Sequence, residues 1–170
     1  MKTTLVILAA LALSAVRADV TNVIDVVALG RLGTGVSEDG WQVNSVTNYS
    51  KDYKYALRFH KNECLAVSPR FDRRILAIEA KVLSSSQAGR RLEFTLSRDG
   101  SQSYAYSFSC PYSPSGKVAT DVRFDVPQST VPYHHVIIGL DNGGGTTAWG
   151  VVSLAVITAD PVKGLFVILR

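Results

Sequence analysis

Three histidines, a glycine run beside an Asp-Asn pair, and scattered carboxylates and aromatics are the residues of this sequence able to do chemistry. The stretch that raises the sharpest question is DNGGGTTAW, Asp141 to Trp149. A phosphate cradle of the P-loop type needs a lysine after its glycines and a helix after the lysine. Here Trp149 and a β-branched run follow instead. A calcium loop needs several oxygen ligands at close spacing, and Asp141 and Asn142 supply only two. Glycine tolerates positive φ without steric cost, so the stretch is expected to form the tip of a hairpin between two apolar strands.

The histidines are His60, His134 and His135. Neighbours on a strand point to opposite faces, so His134 and His135 cannot share one metal by strand geometry. No Gly-x-Ser-x-Gly elbow and no His-Glu-x-x-His occur. No catalytic residue and no metal ligand is therefore assigned, and no cofactor is expected. A dyad between a histidine and an aspartate remains an alternative, because such partners meet in space and not in sequence. Glu79 and Glu93 would resemble a glycosidase pair if their strands faced each other. Asp121 and Asp125 flank Arg123 at two-residue spacing, which makes a charge-balanced patch on one strand face.

Aromatic side chains offer the better lead. Sugar rings stack their apolar faces on exposed tryptophan or tyrosine, while their hydroxyls take polar partners. Loop-borne Trp41, Tyr49, Tyr112, Tyr133 and Trp149 form the candidate ligand-binding set. Trp41 and Trp149 suit core positions equally well. Two cysteines, Cys64 and Cys110, are expected to form one disulfide in an exported chain, with two buried thiols as the alternative. Asn48-Tyr49-Ser50 is an N-glycosylation acceptor.

The expectation of export comes from MKTTLVILAALALSAVRA at the start of the chain. Lys2 precedes an apolar run from Leu5 to Leu13, and Val16-Arg17-Ala18 offers a cleavage site. The run is short of the roughly 20 apolar residues that a membrane span needs. Residues 1–18 thus read as a signal peptide and residues 19–170 as one mature domain without a transmembrane segment. The expected location is secreted, periplasmic or extracellular. Lys and Arg total 18 against 14 Asp and Glu, and losing Lys2 and Arg17 halves that excess. Arg73-Arg74 and Arg90-Arg91 stand as isolated basic pairs, so no nucleic-acid partner is expected.

The elements that must position these residues are strands. Leu57 and Phe59 alternate with Arg58 and His60, and Tyr53 and Tyr55 extend that face. Leu76, Ile78, Ala80 and Val82 alternate with Glu79 and Lys81; Leu92, Phe94 and Leu96 with Glu93 and Thr95. Tyr104, Tyr106 and Phe108 repeat the pattern, as do Val122, Phe124 and Val126. Each run predicts a strand with one buried face. Val136–Leu140 and Val151–Ile157 lack charge and predict central strands buried on both sides. Val23–Leu29 is expected to open a sheet, and no amphipathic helix of useful length is evident. The tail Gly164–Leu169 reads as a last strand. Asp99-Gly100 signals a hairpin. About ten short strands with regularly spaced turns predict an all-β antiparallel sandwich of jelly-roll type.

Three segments carry a resemblance. Tyr55-Ala-Leu-Arg-Phe, then Cys64-Leu-Ala-Val-Ser-Pro-Arg-Phe, then Ile75-Leu-Ala-Ile-Glu-Ala form an apolar strand, a Ser-Pro-x-Phe turn and an alternating strand. This resembles jelly-roll modules of secreted bacterial proteins, of the galactose-binding or lectin-like carbohydrate-binding kind. The resemblance implies a non-catalytic domain that binds a glycan or other cell-surface component. It assigns no ligand residue. The rival readings are a structural or cell-surface interaction protein without a small ligand, and a small hydrolase using a strand histidine.

Overall fold

A computed structural model describes residues 19–49, 56–101, 106–116, 118–127 and 132–160. The expected signal peptide at 1–18, the strand start at Tyr53 and Tyr55, Tyr104, and the tail strand at 164–169 lie outside the described residues. The elements are β1 (Val20–Ile24), α1 (Val26–Leu32), β2 (Gly35–Val36), β3 (Gln42–Asn44), β4 (Thr47–Tyr49), β5 (Ala56–Phe59) and β6 (Leu65–Val67). They continue as β7 (Ile75–Ser84), β8 (Leu92–Ser97), β9 (Tyr106–Ser109), β10 (Thr120–Asp125), β11 (His135–Leu140) and β12 (Trp149–Thr158).

Two antiparallel sheets pack face to face as a jelly-roll β-sandwich. Sheet A runs β10-β7-β12-β5-β4, with β1 also paired to β12. Sheet B runs β2-β3-β6-β11-β8-β9. The alternation explains the layers. Ile78, Ala80 and Val82 of β7 turn inward and are buried, as do Leu92, Phe94 and Leu96 of β8. Rings join the sheets: Phe124 of β10 lies 5.7 Å from Phe94 and 4.8 Å from Phe108, centroid to centroid. Strand β12 is long enough to pair with β7 along one edge. Its other edge is shared between β5 at Trp149–Val151 and β1 at Leu154–Thr158.

Five expectations change. Tyr106, expected with Phe108 on the buried face of β9, is exposed. Val23–Leu29 is not one strand, because Asp25 ends β1 and caps a helix. Its Oδ1 accepts hydrogen bonds from the Val27 and Ala28 amides, both at 3.0 Å. Val26, Leu29 and Gly30 then form the buried helical stripe. The glycine run is not a hairpin tip either. It carries the chain from β11 in sheet B to β12 in sheet A. Asp141 Oδ1 folds the crossing by accepting from the Arg91 amide at 3.0 Å and the Gly143 amide at 3.1 Å. Gly145, at φ 112°, passes Gly89 so closely that a Cβ there would lie 3.0 Å from the Gly89 Cα.

Strand β11 is buried on both sides, at Val136, Ile137 and Ile138. Strand β12 is not, since Ser153 faces out and is exposed. Absence of charge hid this wet face.

The expected disulfide is absent: Cys64 and Cys110 are buried free thiols. One step beyond the Leu65–Gly139 pair, Cys64 stands opposite Leu140, which pairs with Leu92. The Cys110 amide donates to Leu92 O at 2.8 Å. The two cysteines thus share a row but are three strand spacings apart, about 14 Å. A disulfide tolerates about 7 Å between Cα atoms. Cys64 Sγ instead donates to Ser45 O at 3.0 Å, and burial pushes the Cys110 thiol well above its usual range, against a lowering by Arg91. Neither thiol is expected to react with a bulky disulfide reagent in the native protein. Unfolding without reductant should expose both, and an unfolded chain with no reactive thiol would show a bridge.

Candidate functional site

The candidate aromatics go mostly into the core. Trp149 opens β12 and is 0% exposed. Its indole Nε1 donates to Arg90 O at 2.9 Å, which satisfies the polar edge of a buried ring. Tyr112 stacks on it at 5.5 Å and 28°. The Arg91 guanidinium lies 4.6 Å from the Tyr112 centroid, and the Tyr112 hydroxyl donates to Gly89 O. Trp41 is 1% exposed, in a turn where its amide donates to Ser37 Oγ at 3.0 Å. Tyr133 is half-buried against the core. The side chain of Tyr49 lies outside the described residues. Trp41 and Trp149 therefore cannot serve as exposed sugar platforms: each is a core ring, and Tyr112 is held by protein partners.

The other candidate chemistry is dispersed. His134 Nδ1 lies 2.8 Å from Phe71 O and His135 Nδ1 lies 3.2 Å from Ser68 O, so both imidazoles bond main-chain carbonyls. His60 lies 3.5 Å from Cys64 Sγ. Burial lowers its pKa below the usual histidine range, with Arg58, Lys61 and Arg90 adding to the effect and Glu63 opposing it. Glu79 faces out from sheet A and Glu93 from sheet B, so they occupy opposite faces of the sandwich and make no glycosidase pair. Among the described residues no group of three or more His, Cys, Asp and Glu side chains could hold a metal ion. No helix among them is long and apolar enough to cross a membrane.

What the fold does bring together lies on the outer face of sheet A. Register aligns Arg123 with Glu79, Glu79 with Ala155, and Ala155 with Val23, across β10, β7, β12 and β1. The next row aligns Asp121, Lys81 and Ser153. Small Ser153 and Ala155 on β12, set between Val23 and the longer side chains of β7 and β10, leave an open groove of about 490 Å³. Val23, 81% exposed, forms one wall. Asp121 and Arg123 form the other. Arg123 donates from Nε to Asp125 Oδ1 at 2.9 Å and from Nη1 to Glu79. These two carboxylates raise its pKa and keep it charged. Lys81 Nζ lies 3.4 Å from Asp121 Oδ1. Asp121 thus pairs with Lys81 while Arg123 takes Asp125 and Glu79.

Sequence reasoning missed this groove because its residues are far apart along the chain. One signal was present. Ser153 and Ala155 are small residues at two-residue spacing within an otherwise bulky β-branched run.

No family model matches the chain, and no curated protein matches it in sequence. Solved structures do match in fold. A family 29 carbohydrate-binding module is 12% identical with a TM-score of 0.55, over 86% of this chain and 100% of that one. A glycoside hydrolase family 43 arabinoxylan arabinofuranohydrolase from Bacillus subtilis, solved in complex with cellotetraose, is 11% identical with a TM-score of 0.50. That match covers 75% of this chain and 28% of the hydrolase, so the chain spans little more than a quarter of that enzyme. The likeness establishes the fold, a jelly-roll sandwich of the kind seen in carbohydrate-binding modules.

Proposed function

We propose that this chain is a secreted, non-catalytic carbohydrate-binding domain whose saccharide lies across the outer face of sheet A. The observation that carries the reading is the groove itself. It has an apolar wall at Val23, a small floor at Ser153 and Ala155, and a wall of hydrogen-bonding side chains at Asp121, Arg123 and Glu79. A sugar ring needs this combination: apolar contact for its C–H face and convergent polar groups for its hydroxyls. The volume lies within the range of small-ligand sites, about 300–1,000 Å³.

The polar wall can change partners readily. Arg123 and Glu79 are about half exposed, and exposed ion pairs contribute little to stability. Vicinal hydroxyls can therefore replace part of this ladder without cost to the fold. Arg123 presents a planar fork of donors suited to two adjacent oxygens. The family 29 module likeness adds support for this use of the fold.

The test is calorimetry with neutral β-1,4-linked hexasaccharides of gluco, manno and xylo configuration. At least one is expected to bind, and Arg123→Ala should weaken that binding by about tenfold or more, the scale of a lost hydrogen bond to a charged group. The unfolding midpoint should be nearly unchanged. No binding by any hexasaccharide, or full binding by Arg123→Ala, would overturn the proposal.

A further inference from the structure

The connection from β6 to β7 reads SPRFDRR, Ser68 to Arg74, and places Arg70, Arg73 and Arg74 on one short loop. Many bonds to the body of the sandwich hold this loop in shape. The Ser68 amide donates to Val136 O at 2.8 Å, and Ser68 Oγ accepts from the Val136 amide at 2.9 Å. Further along, the Phe71 amide donates to His134 O at 2.9 Å and the Ile75 amide to Tyr133 O at 3.0 Å. The Ala159 amide donates to Arg74 O at 3.1 Å, which ties the loop to the end of β12. The three arginines are thus presented by a fixed backbone, which lowers the ordering cost of binding.

Two adjoining grooves of about 420 Å³ each meet at this loop and share Asp72 and Arg73. One is lined by Arg70, Phe71, Asn22 and Thr158. The other is lined by Arg74, His134 and Asp160. Among the described residues, ion pairs engage Lys81 and Arg123 but none of these three arginines. Three cations face two carboxylates, and the guanidinium forks stand ready for an external anion.

We propose that this end of the sandwich binds a carboxylate-bearing saccharide chain. Arg73, where the grooves meet, takes a uronate carboxylate through paired N–H donors. Arg70 and Arg74 receive the neighbouring acidic residues of the chain. Phe71 offers apolar surface to a ring, and the Asn22 and Thr158 side chains, bonded to each other at 3.3 Å, give the groove a polar edge. A nucleic acid fits less well. It needs a basic stripe along its backbone, and β1 and β12, which flank the loop, carry no lysine or arginine. The site lies on the end of the sandwich, off the sheet A groove, and does not depend on that groove being occupied.

The test uses the full chain at low salt with tri-uronates of galacto, gluco and manno configuration, their methyl esters, and a single-stranded oligothymidylate. Binding of at least one tri-uronate is expected. Methyl esterification should weaken it by about tenfold or more, and so should Arg73→Gln, since each removes a charge-assisted pair. Arg70→Gln should weaken it less, and Arg123→Ala should leave it unchanged. No tri-uronate binding, equal affinity for the methyl ester, full affinity in Arg73→Gln, or tighter binding of oligothymidylate would each overturn the proposal. Neutral hexasaccharide binding, measured in parallel, reports separately on the sheet A groove.

Discussion

Trp149→Ala is expected to lower the free energy of unfolding by about 3–5 kcal/mol, the range for removing a large aromatic from a packed core. The ring is completely buried at the point where β12 meets both β5 and β7. Its removal leaves a cavity, unstacks Tyr112, and strips the Arg90 carbonyl of the indole N–H that it accepts at 2.9 Å. Two further contacts loosen with it, because Arg91 rests on Tyr112 and Tyr112 bonds Gly89 O. Trp149→Phe keeps an apolar ring but not the donor, so its loss should be smaller. Urea denaturation with a two-state fit measures both. A loss below about 0.5 kcal/mol in Trp149→Ala, the scale of a surface change, together with lost saccharide binding, would place the ring at a binding surface instead.

Ser84→Ala and Ser113→Ala should each cost about 1–3 kcal/mol, the penalty for a buried donor left without a partner. The two serines bond reciprocally. The Ser84 amide donates to Ser113 Oγ at 2.8 Å, and the Ser113 amide donates to Ser84 Oγ at 2.7 Å. Both residues are 0% exposed, so water cannot replace either acceptor. Each alanine therefore orphans the other residue's backbone N–H. Because both bonds pin the same loop to the end of β7, the double variant should cost less than the two single losses together. A double-mutant cycle in urea checks this. Single variants within about 0.5 kcal/mol of the parent, as for an ordinary surface substitution, would contradict it. The prediction is linked to the first, since Tyr112, stacked on Trp149, neighbours Ser113 in that loop.

The wet faces of β7 and β10 were legible residue by residue, whereas Tyr106 of β9 is exposed and Thr95 and Ser97 of β8 are buried against the alternation. Glu79 and Lys81 mark the outer side of β7, and Arg123 and its flanking aspartates mark that of β10, as alternation requires. Sheet membership was not legible. Strands β11 and β12 are both apolar and are joined by a glycine-rich stretch, yet they belong to different layers. Periodicity reports which face is buried and is silent on which strand lies alongside. The cysteines failed for the same reason, since compartment predicts a bridge and only the strand order places two strands between them. Aromatic type says little about exposure: Trp149 carries a polar edge, but Arg90 O satisfies it inside the protein. The sheet A groove depends on register among β1, β7, β10 and β12, whose residues span much of the chain.

The central claim is that saccharide binds to the outer face of sheet A and not to the tryptophans. The most direct measurement is an amide and indole NMR titration of the labelled chain with the hexasaccharide that calorimetry selects. The largest shifts are expected at Val23, Glu79, Arg123, Ser153 and Ala155, with the Trp41 and Trp149 indole signals unmoved. Shifts concentrated at the indoles, with the sheet A residues silent, would contradict it.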